Sequence, residues 1–427
     1  MKAIFAFLII FLTFLSPFCH AQDGPVYSQF TTEAFRNQFN PALIKWSILN
    51  NIKESLPDTN NQYDFQSAFW PMELILYKTP YVHERLAYAF TKADSCTSEF
   101  QRGLVEVSYT NWPDAFRPQV RRLMKYTDSP KVFAICAEYL WRGGKHPEEK
   151  ANITALMKRK FDTMQDNPVL MMLKQRLEEE TYPPLPSLTD IFSEQFAPGL
   201  TVIYSFQRQE RDYPGLVIVR KPDGHFVRDS SGKIFAVSQL ARSITNLPFY
   251  LTNGNTPQGI FRMSGFGISS SRFIGPTPNI QLSMPYEIPV DSFLISPAPG
   301  DTSWDIASYK NLLPASWRQY APIFQSYYAG ECGRTAIIAH GTTIDQDYYK
   351  GQIYFPQTPS QGCLCAHEVW SPATGQRLES DQQKLDDAVR QAGNGIGYAV
   401  VIDLGDKKSP VKVEEVLPYI MKAEEKL

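Results

Sequence analysis

The chain has 427 residues, 43% apolar and 20% charged, which is room for two domains and too apolar for a disordered chain. Its 42 Lys and Arg stand against 44 Asp and Glu, so no basic excess points to nucleic acid as a partner. Six cysteines are too few to staple a chain of this length, which must hold together by burial.

Residues 1–21 read as a secretory leader. Lys2 is followed by an apolar run from Ala3 to Leu15, Pro17 breaks it, and Cys19 and Ala21 stand before a cleavage point at Gln22. The run is too short for a membrane span of about 20 residues, so the mature chain is expected to be exported and not integral to the membrane. Removal of the leader leaves Cys96, Cys136, Cys332, Cys363 and Cys365. An odd count in an exported protein leaves at least one thiol free, a reason to look for a reactive one.

Residues 22–181 are predicted to form an all-α, helical-repeat-like domain. Leu86, Ala89 and Phe90 share one helical face, as do Phe100, Leu104 and Val107, then Phe116, Val120 and Leu123, then Val132, Ile135, Cys136 and Tyr139. Pro113, Pro130, Pro147 and Pro168 punctuate the pattern, and in Ser129-Pro130 the serine can cap a helix whose first residue is the proline. Arg117, Arg121, Arg122 and Lys125, with Trp112 and Trp141, suggest a surface for the cell wall or for an envelope protein. A Pro-rich connector is expected at 182–199, because Pro183, Pro184 and Pro186 cannot continue a helix.

A mostly-β domain is predicted over 200–405, with a C-terminal tail at 406–427. Strands are expected at Leu216–Val219, Ile234–Val237, Thr335–Ala339 and Tyr398–Ile402, and a helix at Asp381–Gln391. The densest chemistry lies in its last hundred residues. His340-Gly341 ends a strand, and Ser360-Gln361-Gly362-Cys363-Leu364-Cys365 follows. Acyl transfer by cysteine needs a thiolate, which a neighbouring imidazole can generate and hold. Glycine before the cysteine permits a sharp turn that aims backbone N–H groups at an oxyanion. Zinc is disfavoured, since only one residue separates Cys363 from Cys365 where paired cysteine ligands want two. A disulfide from Cys332 to either of them stays open.

These residues resemble the L,D-transpeptidase (YkuD) catalytic-domain family. Its hallmark is His-Gly at a strand end, a loop, then Ser/Thr-His-Gly-Cys with an apolar residue and Arg or Asn. The turn Asn255-Thr256-Pro257-Gln258-Gly259-Ile260-Phe261 is similar to the family's Thr-Pro-x-Gly-x-Phe, and the later helix and strand follow in the same order. The resemblance implies Cys363 as nucleophile and His340 as its base, with Gly341 through its carbonyl, or Ser360, orienting the imidazole. It further implies Gly362 and Cys363 N–H groups at the oxyanion, and no metal or organic cofactor. The implied substrate is a peptidoglycan stem peptide, cut after the L-centre of a diaminopimelate-type residue and joined to another stem. Gln361 replaces the motif histidine and cannot titrate; Cys365 replaces the Arg or Asn. Arg262 and Arg272 are candidates for binding stem carboxylates. Hydrolysis by the same acyl-enzyme, as in a carboxypeptidase or endopeptidase, and a non-catalytic wall-binding role are the alternatives.

Overall fold

The computed structural model describes residues 24–56, 58–164, 166–178, 183–295 and 303–427. The predicted leader and Tyr182 lie outside them. The chain is mixed α/β, helical in its N-terminal part and β-rich in its C-terminal part. Among the described residues no helix is long and apolar enough to cross a membrane.

The helical part runs through α1 (Glu33–Ala42), a π-helical stretch Leu43–Leu49, α2 (Thr59–Ser67), α3 (Phe69–Leu74), α4 (Pro80–Lys92), α5 (Ser98–Asn111), α6 (Arg117–Tyr126), α7 (Pro130–Trp141), α8 (Glu149–Lys160) and α9 (Pro168–Glu178). Helix α3 packs on α5, α5 on α7 and α7 on α9, while α4 packs on α6, so helices stack in two layers. Local chemistry sets the starts. Ser129 Oγ accepts from Val132 N–H at 3.4 Å with Pro130 at the first position, and Asn167 Oδ1 does the same for α9 ahead of Pro168. Every apolar face picked out in the sequence is buried in one cluster. Three of the four basic residues expected to form a binding surface have acidic partners within the helical part. Arg117 and Arg121 both meet Glu149, Arg122 meets Asp94 at 2.6 Å, and Trp112 and Trp141 lie half-buried against the helical core.

Among the described residues ten strands follow: β1 (Thr201–Gln207), β2 (Gly215–Arg220), β3 (Val237–Leu240), β4 (Gly259–Ile268), β5 (Pro278–Ser283), β6 (Ala339–His340), β7 (Leu364–Ala366), β8 (Glu368–Trp370), β9 (Arg377–Ser380) and β10 (Ile396–Asp403). Eight close a barrel in the order β1-β10-β4-β5-β6-β7-β3-β2, and β8 and β9 form a separate hairpin. Between them lie α11 (Val290–Leu294), α12 (Ile306–Leu312), α13 (Gln325–Glu331) and α14 (Asp381–Ala392). Leu385, Ala388 and Val389 of α14 join one barrel cluster with Val217, Phe261, Ala339 and Leu364.

Three expectations are corrected here. The segment 182–199 is not all connector: α10 (Leu188–Phe192) buries Leu188, Ile191 and Phe192 against the other faces of β1, β2 and β10. The segment 406–427 is not a tail, since α15 (Leu417–Glu424) packs on α10 with Val416, Ile420 and Ala423 buried. Strands β1 and β2 are buried on both faces, so Val202, Tyr204, Phe206 and Ile218 need such a cover, each worth about 1.5–3 kcal/mol. Finally, Thr335–Ala339 contributes only Ala339 to a strand, because Ala336 sits at φ +62° and its N–H turns to Glu287 Oε1 at 2.6 Å.

The two parts interlock. Leu247, Tyr250 and Leu251, from the loop between β3 and β4, enter the helical core together with Cys332. Tyr250 Oη donates to Glu138 at 3.0 Å, and Asn253 Nδ2 donates to Glu106 at 3.0 Å. At the other end the segment before α1 lies on the β part, with Ser28 N–H on Gly375 O and Arg377 N–H on Val26 O, both 2.8 Å.

Candidate active site

Strands β6 and β7 run parallel, with Ala339 opposite Leu364 and His340 opposite Cys365. Ala339 and Leu364 point into the barrel cluster, so His340 and Cys365 take the opposite face. Cys363 lies one residue before β7, in the bend that leads into it. The pairing therefore sets His340 beside Cys365, with Cys363 at the entrance to the adjacent strand.

The cysteine loop is held from three directions. Ser360 Oγ donates to Cys363 O at 2.8 Å and accepts from Gly362 N–H at 3.1 Å. Thr256, from the Thr-Pro turn, donates its hydroxyl to Gly362 O at 2.9 Å. Beneath lies Arg334, buried, whose guanidinium donates to Phe249 O (2.5 Å), Asn255 O (2.7 Å) and Gly254 O (2.9 Å). Gly362 stands at φ +111°, and a Cβ there would collide with the Arg334 guanidinium and Gly254 O. Only glycine serves at this position, for both reasons.

Cys363 is half-buried and its thiol donates to Ala336 O at 3.5 Å. Burial pushes the thiol pKa up, while the Ile338 N–H and the Arg334 cation pull it down. The resting thiol is protonated and makes no hydrogen bond to His340 among the described residues. His340 is buried, and its Nδ1 lies 2.5 Å from Gly341 O. A carbonyl only accepts, so Nδ1 carries the proton and Nε2 keeps its lone pair. Burial also lowers the imidazole pKa, which favours the neutral base.

Of the two groups expected to orient the imidazole, the Gly341 carbonyl meets Nδ1, while the Ser360 hydroxyl is engaged by the cysteine loop. Gly362 N–H is likewise taken by Ser360, which corrects its expected place at an oxyanion. Gln361 is exposed. Arg262 donates to Ser292 O (3.2 Å) and Gly397 O (3.1 Å), on the β10 side of the barrel. Arg272 lies over Phe30 at 5.0 Å, beside the N-terminal segment. Both arginines thus have partners within the chain, and the Arg272 backbone carbonyl accepts from Thr343 Oγ1, next to the His-Gly turn. All described cysteines are free thiols, and burial raises the Cys365 pKa to about 12, which keeps that thiol protonated.

Two functional candidates escaped sequence reading. Arg334 has no motif around it, and its partners lie some 80 positions upstream. Glu368 sits directly under the His340-Gly341 turn, its side chain fully buried. It accepts from Thr342 N–H (2.9 Å), Thr277 Oγ1 (2.8 Å) and Ser380 Oγ (2.6 Å). Nothing local marks either residue.

No known protein family, curated protein or solved structure matches this chain. The site must therefore be read from its own chemistry.

Proposed function

We propose that the protein is an exported peptidoglycan L,D-transpeptidase acting through a Cys363 acyl-enzyme, in the periplasm or cell envelope. The observation that carries this reading is the parallel pairing of β6 with β7, which sets His340, its Nε2 free, on the strand beside the one that the Gly362-Cys363 turn enters. The converging Thr-Pro turn, His-Gly and Ser-x-Gly-Cys elements support it, since they are the parts that resemble the family.

In this mechanism the thiol turns from Ala336 O toward His340 and gives its proton to Nε2. Arg334 and the imidazolium together hold the thiolate. Sulfur attacks the carbonyl of the donor stem peptide, the C–N bond to the terminal D-amino acid breaks, and the imidazolium proton leaves on that amine. A side-chain amine of a second stem then attacks the thioester, gives its proton to His340, and the thiol is restored. The chemistry balances without a cofactor.

The test is incubation of the mature chain with purified tetrapeptide muropeptides, followed by mass analysis. Cross-linked dimers are expected. Shortened monomers would make water the acceptor and the protein a carboxypeptidase, while unchanged substrate with intact fold would refute catalysis.

A further inference from the structure

We propose that Glu368 is a positioning residue that acts on His340 through the single peptide group joining Gly341 to Thr342. The geometry is a chain of two hydrogen bonds with one planar amide between them. His340 Nδ1–H meets the Gly341 carbonyl at 2.5 Å, and the N–H of the same peptide group, on Thr342, meets Glu368 Oε2 at 2.9 Å. Amide resonance couples the two ends: a negative charge at the N–H drives electron density toward the carbonyl oxygen. The oxygen becomes a stronger acceptor, which holds the Nδ1–H tautomer, fixes the ring plane and favours the imidazolium when it forms. A carboxylate bonded directly to a catalytic imidazole does the same in other enzymes. Here a peptide stands between.

The turn is built around that carboxyl. A Cβ on Gly341 would lie 2.5 Å from both Glu368 oxygens, so glycine is needed for the acid to come this close. Thr277 and Ser380 hydroxyls aim Glu368 from two other segments. The charged and titratable groups facing it are Arg377 on β9, at 3.7 Å, the Cys365 thiol on β7 and, across the peptide, His340 on β6. Arg377 Nη1 is buried without a hydrogen-bond partner, which leaves its charge directed at the carboxylate. Burial lifts the Glu368 pKa to about 7, so its charge state changes where the imidazole must work.

The inference rests on the acyl-transfer reading for its purpose, and its test does not need the substrate. The mature chain, labelled with ¹⁵N-histidine, is titrated by NMR as wild type, Glu368→Gln and Thr277→Val, with Cys363 alkylation by iodoacetamide mapped by mass spectrometry in parallel. Gln keeps one oxygen for Thr342 N–H and removes the charge, while its NH2 takes the place of the oxygen that accepts from Ser380. The expected result is a His340 midpoint lower by about half to one unit in Glu368→Gln, with loss of a wild-type inflection near pH 7 in both readouts. Thr277→Val, which removes one donor, should move that inflection upward and leave the tautomer unchanged. A folded Glu368→Gln chain with the wild-type His340 titration overturns the inference. Should that variant not fold, an unmoved inflection in Thr277→Val overturns it instead. A shifted titration with inactive muropeptide assays would keep this relay and refute the transpeptidase.

Discussion

Gly341→Ala probes the packing of the His-Gly turn most directly. Gly341 has no left-handed backbone, so alanine meets no conformational penalty and the whole effect is steric. The added methyl would stand 2.5 Å from each Glu368 oxygen, when carbon needs about 3.5 Å, so something must yield by about 1 Å. If the carboxyl retreats, it stretches bonds from Thr342, Thr277 and Ser380, each worth about 1.5–3 kcal/mol to a charged acceptor. If the backbone yields, overpacking costs about 1–3 kcal/mol and His340 moves with it. The cheaper route prevails, so the expected loss is about 2–3 kcal/mol. For a β-rich part of this size that is a drop in Tm of roughly 4–12 °C. Thermal and urea unfolding of the protein read it, with Glu368→Ala and the double variant completing a cycle. Because Glu368→Ala removes the obstacle, Gly341→Ala should cost at least about 1.5 kcal/mol less in that background. A loss below about 0.5 kcal/mol, or strict additivity, would refute the argument.

Cys363→Ala is expected to abolish alkylation at the site and all muropeptide products, while Cys365→Ala keeps both; the reverse outcome would mean that the nucleophile is misassigned. Arg334→Gln removes the cation that lowers the Cys363 pKa, so the pH midpoint of thiol alkylation should move up, and Arg334→Lys should stay nearer the wild type. Glu368 has a folded pKa of about 7 against an ordinary 4.5, so the folded state binds the proton more tightly. Its contribution to stability is full below about pH 4.5 and is lost as pH rises through about 7. Urea midpoints at pH 5 and pH 8 should therefore fall further in the wild type than in Glu368→Gln, and equal falls would contradict a buried, proton-binding Glu368.

What the sequence determined by itself is what neighbouring residues decide. The faces carrying Leu86, Phe100, Val120 and Ile135, the Ser129 cap, the strand over Tyr398–Ile402 and the helix from Asp381 all depend on contacts within a few residues, and each was legible. Cys363, Gly362 and His340 could be proposed from the sequence because they stand in short, recognisable runs. Tertiary structure decided the rest. Val202 and Phe206 look like any buried strand residues until α10 and α15, from either end of the β part, are seen to cover them. Arg262 and Arg272 looked available because a sequence cannot show which backbone carbonyls or rings an arginine will meet. Arg334 and Glu368 were invisible for the opposite reason: their partners lie about 80 and 26 positions away, and no local pattern encodes a buried charge whose solvation comes entirely from distant segments. The imidazole's surroundings are therefore a property of the tertiary structure, which alone brings Thr277, Thr342 and Ser380 onto one carboxylate of the β8–β9 hairpin.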